Sequence, residues 1–177
     1  GYFATASGQY SHAEGYGTTA GATAAHAEGQ ETSATQQGAH AEGHRTLASG
    51  PRSHAEGWFA TASGGYSHAE GFKSLASGLY SHAEGDSTLA SGEGSHTEGL
   101  MTTGSGLYSH AEGLSAVAAG NYAHAEGRSN LASGDYAHSE GMFTTASGEG
   151  ASSAGQSTLA VGQASQAQGL QTRAAGA

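Results

Sequence analysis

Histidine and glutamate recur together along this chain ten times, at a spacing of 14 residues, with each Glu two residues after its His. Imidazole and carboxylate groups suit acid–base catalysis and the binding of transition metals. A pair copied this often in the same surroundings is typical of a scaffold, so we expect no enzymatic activity. The paired residues are His12, Glu14, His26, Glu28, His40, Glu42, His54, Glu56, His68, Glu70, His82, Glu84, His96, Glu98, His110, Glu112, His124, Glu126, His138 and Glu140.

Metal binding by these pairs is an alternative function. Three imidazoles around a threefold axis would suit Zn or Ni. The adjacent Glu can satisfy each His, however, and we therefore expect no metal and no cofactor. The His-x-Glu signature of zinc deaminases also needs a Pro-Cys-x-x-Cys segment, whereas this chain has no Cys.

The composition excludes several classes of protein. The 177 residues include 31 Gly, and Ala supplies most of the apolar 36%, so an ordinary core of Leu, Ile, Val and Phe cannot form. Disordered segments do not hold so strict a register. Only five Lys and Arg accompany a net charge of −10, which argues against nucleic acid. No stretch is long and apolar enough for membrane contact within this segment.

The 14-residue unit consists of two halves of seven residues, of which residues 79–85 and 86–92 are examples. The His half reads x-Tyr-Ser-His-Ala-Glu-Gly, and the Leu/Thr half reads x-x-Thr-Leu-Ala-Ser-Gly. Because side chains alternate along a strand, positions 3, 5 and 7 form a small-residue face, opposite positions 4 and 6. Each half is therefore predicted to be a short strand that follows a corner at positions 1 and 2. A helix would lose about 1 kcal/mol at each Gly.

Two strands and two corners complete one coil. The small-residue faces of its two strands must meet, which leaves an interior only as thick as an Ala side chain. We expect a single repeat domain over 1–177 of about 12 coils, regular over 2–141 and variant over 142–177. Ala22 and Gln36 replace two Gly in residues 16–42, which predicts a local bulge. The chain starts and stops within the repeat, so we expect a fragment of a longer fibre.

So thin an interior predicts association with other chains. Burial of apolar surface contributes about 25 cal/mol per Å², against a chain entropy of roughly 1 to 2 kcal/mol per residue. A single roll therefore needs partners along its length. Copies of the same chain suit a face repeated in every coil.

Short motifs in the chain resemble the YadA-like head repeats of trimeric autotransporter adhesins and related repeats of phage tail fibres. The polar half of those repeats occurs at residues 4–8 and 60–64 as Ala-Thr-Ala-Ser-Gly, and residues 157–162 resemble the apolar half. The resemblance implies an all-β, left-handed parallel β-roll, a homotrimer and an extracellular role in attachment, at the cell surface or on a virion tail. In that family the bulky residues at positions 4 and 6 line the trimer axis.

This chain has His and Glu where the family usually has Val and Ile. The His/Glu pairs then form an interchain ladder on the axis, or they face solvent while Leu47, Leu75 and their equivalents line it. Position 4 of the Leu/Thr half varies from Thr5 to Leu47 to Arg173, and a packed interface resists such changes in volume. The constancy of His and Glu favours the ladder, which should be sensitive to pH.

The function that follows is a structural and adhesive shaft or head segment of an extracellular trimeric fibre, a bacterial adhesin or a phage tail fibre. An ice-binding solenoid is a further alternative, although Leu and Arg interrupt its Thr rows. Tyr residues recur at one corner and should stack. Trp58, Phe59, Phe72 and Phe143 at the opposite corner are candidates for binding a host-surface protein or glycan.

Overall fold

The computed structural model describes residues 1–176, and these residues contain strands and turns but no helix. None of the described segments is therefore a helix able to cross a membrane. The chain divides into two compact units, Gly1–Ser87 and a second that begins at Thr88. Both units have the same construction, in which strands of two and of five residues alternate.

The first unit contains twelve strands. Its two-residue strands are β1 (Thr5–Ala6), β3 (Thr19–Ala20), β5 (Ser33–Ala34), β7 (Leu47–Ala48), β9 (Thr61–Ala62) and β11 (Leu75–Ala76). Its five-residue strands are β2 (His12–Tyr16), β4 (His26–Gln30), β6 (His40–His44), β8 (His54–Trp58), β10 (His68–Phe72) and β12 (His82–Asp86).

The second unit continues the alternation. Its two-residue strands are β13 (Leu89–Ala90), β15 (Thr103–Gly104), β17 (Val117–Ala118), β19 (Leu131–Ala132), β21 (Thr145–Ala146), β23 (Leu159–Ala160) and β25 (Arg173–Ala174). Its five-residue strands are β14 (His96–Leu100), β16 (His110–Leu114), β18 (His124–Arg128), β20 (His138–Met142), β22 (Ser152–Gln156) and β24 (Gln166–Leu170).

Each strand pairs in parallel with its equivalent 14 residues away. His54 lies opposite His68 in the first unit, and His110 lies opposite His124 in the second. Each unit is thus an all-β parallel solenoid of 14-residue coils, about twelve in all, as the repeat predicts. The bulge predicted in residues 16–42 is wrong, because β3 pairs with β5 and β4 with β6 in the regular register.

The interior of each coil is lined by the small-residue faces of both halves. Ser53 and Ala55 of the His half are buried, as are Thr46 and Ala48 of the Leu/Thr half. The side chains between them point outward, so the predicted alternation is confirmed. Ser53, Ser67 and Ser81 also donate a hydrogen bond from Oγ to the carbonyl of the Gly three residues earlier, at 2.7 Å. These bonds satisfy hydroxyl groups that would be costly to bury alone.

Glycine closes each half because the coils approach each other closely at that point. A Cβ added to Gly50 would lie 1.9 Å from the carbonyl oxygen of Gly64. At Gly57, the backbone also adopts a φ of +108°, which side-chain-bearing residues rarely adopt. The close approach of the coils therefore favours Gly at Gly50, although Ala22 and Gln36 occupy the equivalent position in two coils, and the positive φ favours Gly at Gly57.

Position 2 of each half has a left-handed backbone even where the residue is not Gly. Tyr66 has a φ of 57° and Lys73 a φ of 54°, conformations that cost of order 1 to 3 kcal/mol each. The backbone N–H of each donates to a carbonyl of the preceding coil, at 2.8 Å to Pro51 and at 2.9 Å to Trp58. The corners predicted at positions 1 and 2 are thus held by a ladder of their own.

Several buried residues of the second unit depart from the repeat, and two of these changes alter the packing most. Thr97 replaces the usual Ala at position 5, and Gly104 replaces Ala at position 5 of the facing half. A Cβ on Gly104 would lie only 3.0 Å from Cγ2 of Thr97, so the two changes in size compensate each other. Asn130 replaces a small residue at position 3, and its amide donates to the carbonyls of Glu126 and Gly141.

The compensation predicts the effect of adding one methyl group. Gly104→Ala should lower the free energy of unfolding by about 1 to 3 kcal/mol, because the interior cannot expand around Thr97. Thr97→Ala combined with Gly104→Ala should recover most of that loss, since it restores the usual coil. Urea denaturation followed by circular dichroism measures both. Effects of the two single variants that simply add in the double variant would contradict the pairing.

Candidate functional site

The His/Glu ladder lies on the outward face of the five-residue strands. His is the first residue of the strand and Glu the third, so both point to the same side, away from the buried Ala between them. In the first unit the parallel register aligns six such pairs, and in the second unit it aligns four. The pairs predicted from the sequence are thus brought together within each unit.

The imidazole rings stack from coil to coil. The ring centroids of His40 and His54 are 4.6 Å apart, with the planes within 1° of parallel. The spacing is 4.8 Å between His54 and His68, and again between His110 and His124 in the second unit. These distances match the separation of neighbouring strands, about 4.8 Å. The backbone register therefore imposes the stacking.

The distance between each His and its own Glu varies along the ladder. Nε2 of His26 lies 3.2 Å from the carboxylate of Glu28, within hydrogen-bonding distance. The corresponding distance is 3.6 Å from His40 to Glu42 and 4.0 Å from His68 to Glu70. The expectation that the adjacent Glu satisfies each His is therefore wrong in these coils.

The Nε2 atoms in these coils are hidden from solvent. Those of His40, His54 and His68 are buried and have no hydrogen-bond partner among the described residues. A buried polar atom without a partner costs of order 1 to 3 kcal/mol. A ligand that bonds to this row of nitrogen atoms would therefore remove an energetic cost from the outward face.

The neighbouring imidazoles also affect protonation. Burial lowers the pKa of His54 below its ordinary value, and the rings of His40 and His68 lower it further. Burial likewise lowers the pKa of His110, followed by the influence of His124 and His96, while Glu112 and Glu98 act in the opposite direction. Both rings are consequently neutral near pH 7.

The ladder carboxylates lie beside the stacked rings. The side chains of Glu42 and Glu56 are 40% and 43% exposed, and equivalent carboxylates lie in adjacent coils. Their partners within 4.0 Å among the described residues are His side chains, whereas Arg45 pairs outside the ladder with Glu31, at 2.5 Å. A column of like charges in such close register attracts cations or donors from another molecule.

Two groups of ladder residues could hold a metal ion. His40, Glu42 and His54 each offer one ligand atom, and these atoms lie within 4.8 Å of one another. Glu56, His68 and Glu70 form a second such group in the next coils.

The opposite outward face is less regular. Leu47, Thr61 and Leu75 occupy equivalent places in β7, β9 and β11, and their volumes and polarity alternate. A continuous row of Thr, which an ice-binding surface would need, is interrupted here. Leu47 is 36% exposed, so this face also remains open to a partner.

Three of the four aromatic candidates form one patch at a corner of the first unit. Trp58 lies with its ring centroid 6.4 Å from those of both Phe59 and Phe72, and it is 53% exposed. His44 packs edge-on against Trp58 at 5.1 Å, and the Arg45 guanidinium lies 5.5 Å from the Phe59 ring. We call His44, Arg45, Trp58, Phe59 and Phe72 the aromatic corner.

The remaining candidate, Phe143, belongs to the second unit. Its ring lies 5.8 Å from the Arg128 guanidinium. The sequence interpretation missed His44 and Arg45, although each lies 14 residues before an aromatic and the repeat could have placed them. The Tyr residues of the other corner stack as expected, with centroids of Tyr122 and Tyr136 5.2 Å apart.

Comparison with known families supports the resemblance noted in the sequence. The model of the YadA head domain repeat matches residues 41–67 in two copies. This range contains β8 and β9, whose pattern recurs in the other regular coils. The recognition of YadA-like head repeats is therefore confirmed. A search of curated proteins found no matching relative.

The lowered pKa of His110 predicts that acid weakens the fold. The unfolded chain binds a proton more readily than the folded chain, so stability is complete above the ordinary histidine pKa of about 6.5 and falls as the pH drops through the folded value. His110→Gln should reduce the loss of stability between about pH 7.5 and pH 5. Urea denaturation at both values measures it, with His44→Gln as the control outside the ladder. A fold equally stable at both values would contradict the prediction.

Proposed function

We propose that this chain, which contains YadA-like head repeats, forms a structural and adhesive segment of an extracellular trimeric fibre. The fibre is a bacterial surface adhesin or a phage tail fibre that mediates attachment. The observation that carries the proposal is the match of two YadA head domain repeats to residues 41–67. YadA-type heads form homotrimers in general, and they belong to adhesins at the cell surface.

The thin interior supports association of several chains. The buried residues are mostly Ala, Ser and Thr, and the larger apolar side chains lie outside on the solenoid. Apolar burial inside one chain therefore contributes little free energy. In the proposed assembly, three left-handed rolls lie around one axis and cover an outward face of each other.

The His/Glu ladder is the face that we assign to the contacts between chains. Its residues are the same in every regular coil, whereas the opposite face alternates between Leu47 and Thr61. The buried Nε2 atom of His68 has no partner within the described residues of its own chain. A carboxylate of a neighbouring chain would supply the missing hydrogen bond. The threefold symmetry of the trimer would repeat that contact around the axis in this coil.

Attachment is assigned to the aromatic corner. Trp58 and Phe72 are exposed and lie beside each other, with Lys73 against Phe72 and Arg45 against Phe59. Exposed aromatic and Arg side chains are enriched among the residues that dominate binding energy at interfaces. The host ligand is proposed to be a glycan or a surface protein that packs on this corner.

The assignment of the ladder predicts which face tolerates an added charge. His68→Glu should weaken the trimer by at least about tenfold, since like charges across an interface cost several kcal/mol. Thr61→Glu adds the same charge to the opposite face in a neighbouring half-coil and should leave the trimer intact. Light scattering and analytical ultracentrifugation measure the mass and the dissociation constant. A folded, monodisperse monomer of the unaltered chain would contradict threefold association, and the reverse order of the two variants would place the other face on the axis.

The aromatic corner predicts a localised loss of adhesion. Trp58→Ala should lower binding to host cells by about tenfold or more, as truncation of a central aromatic contact does elsewhere. Tyr122→Ala removes a similarly exposed aromatic from the other corner and is the matched control. Beads coated with each protein and counted on cultured epithelial cells provide the measurement, with a glycan array to separate the two ligand classes. Equal adhesion of both variants would argue against this corner.

A further inference from the structure

A metal site can be assigned within one chain, between two consecutive coils of the ladder. His40 and Glu42 belong to β6, and His54 begins β8, directly opposite His40 in the parallel register. The three side chains leave the same outward face, and their ligand atoms lie within 4.8 Å of one another. The strand register thus brings two imidazoles and one carboxylate to one point.

The distances suit a small divalent transition metal. Zinc binds His nitrogen and carboxylate oxygen at about 2.0 to 2.2 Å, which separates tetrahedral ligand atoms by about 3.4 Å. Nε2 of His40 lies 3.6 Å from Oε2 of Glu42, slightly more than that separation. Because the two ring planes are within 1° of parallel, both rings must turn about their side-chain torsions before the two Nε2 lone pairs point at one ion. Both are outward side chains with solvent on one side, since 36% of each is exposed.

The lack of hydrogen-bond partners for the two imidazoles supports a ligand at this point. Nε2 of His40 and Nε2 of His54 are both buried and have no hydrogen-bond partner among the described residues. By contrast, Glu28 lies at 3.2 Å from His26 and satisfies it. The His/Glu pairs in the two coils of this cluster are thus not hydrogen-bonded, whereas the pair one coil earlier is. A metal ion would satisfy both nitrogens at once.

The donor set selects the class of metal. Two imidazoles and a carboxylate are ligands that catalytic zinc sites use, with a fourth position left for water. Imidazole suits Zn, Cu and Ni, whereas Mg and Ca prefer sites built only from oxygen. The neighbouring group, Glu56, His68 and Glu70, has one imidazole and shares no residue with the first. It should therefore bind the same metals more weakly.

We propose that Nε2 of His40, Nε2 of His54 and Oε2 of Glu42 bind one divalent transition metal ion, with Zn²⁺ as the representative. The fourth position faces outward, where a water molecule would occupy it, or a carboxylate of a neighbouring chain in the proposed trimer. The three ligands come from one chain. The site therefore rests on the coil register and not on threefold association.

Isothermal titration of the metal-free, purified chain with Zn²⁺ alone tests the proposal. We expect one zinc per chain in the tightest phase, and X-ray absorption at the zinc edge should show two imidazole ligands. His40→Gln combined with His54→Gln should abolish that phase, and Glu42→Gln should weaken it by at least about tenfold. His44→Gln, which removes the histidine outside the ladder, should bind zinc as the unaltered chain does. Circular dichroism checks that each variant is folded.

Four results would overturn the site. They are the absence of zinc binding, equal loss in His44→Gln, binding of Mg²⁺ at the same affinity, and a ratio of one zinc to three chains. The last ratio would place the metal on a threefold axis. The mass of the assembly, measured on the same samples, separates this proposal from the proposed function. A trimer without zinc refutes only the metal site, and a monomer that binds one zinc supports the site while refuting the trimer.

Discussion

The separation of the two sheets within a coil is the constraint on which the rest of this structure depends. Ala55 and Ala62 face each other across an interior with no room for larger apolar groups, and a Cβ on Gly50 would collide with the next coil. Chemically distinctive side chains are therefore forced outward. The inside of the solenoid determines its geometry, and the outside determines what it can bind.

Repetition has a second consequence, because parallel pairing in register places each outward side chain beside its own copy. Stacking of like rings suits His54 and Tyr122, whereas stacking of carboxylates such as Glu56 is unfavourable without a counter-charge. The same backbone register thus produces ordered aromatic columns and, on one face, a row of repelling carboxylates that favours a bound positive charge or hydrogen-bond donor. A neighbouring chain or a bound cation could relieve this repulsion, which arises from the parallel, in-register pairing of the strands.

The sequence predicted the coil length, the buried positions and the corners, because each depends on a local rule repeated many times. The bulge expected at Ala22 and Gln36 was wrong, since the neighbouring strands keep their register and Gln36 simply points into solvent. The separations between His and Glu were also beyond prediction. His26 and His68 both precede Ala-Glu-Gly, but His26, whose ring is tilted against its neighbours, lies within hydrogen-bonding distance of its Glu, and the stacked His68 does not.

Identical layers create a difficulty for a folding chain, since a strand that joins the wrong layer still buries the correct face. The swapped sizes of Thr97 and Gly104 give one layer an identity, because Thr97 set against an ordinary Ala would overfill the interior. Asn130, which reaches the backbone of the following layer, marks another. Such rare irregularities would destabilise any pairing that is shifted by a whole repeat. An artificial chain with uniform repeats would lack this control of register.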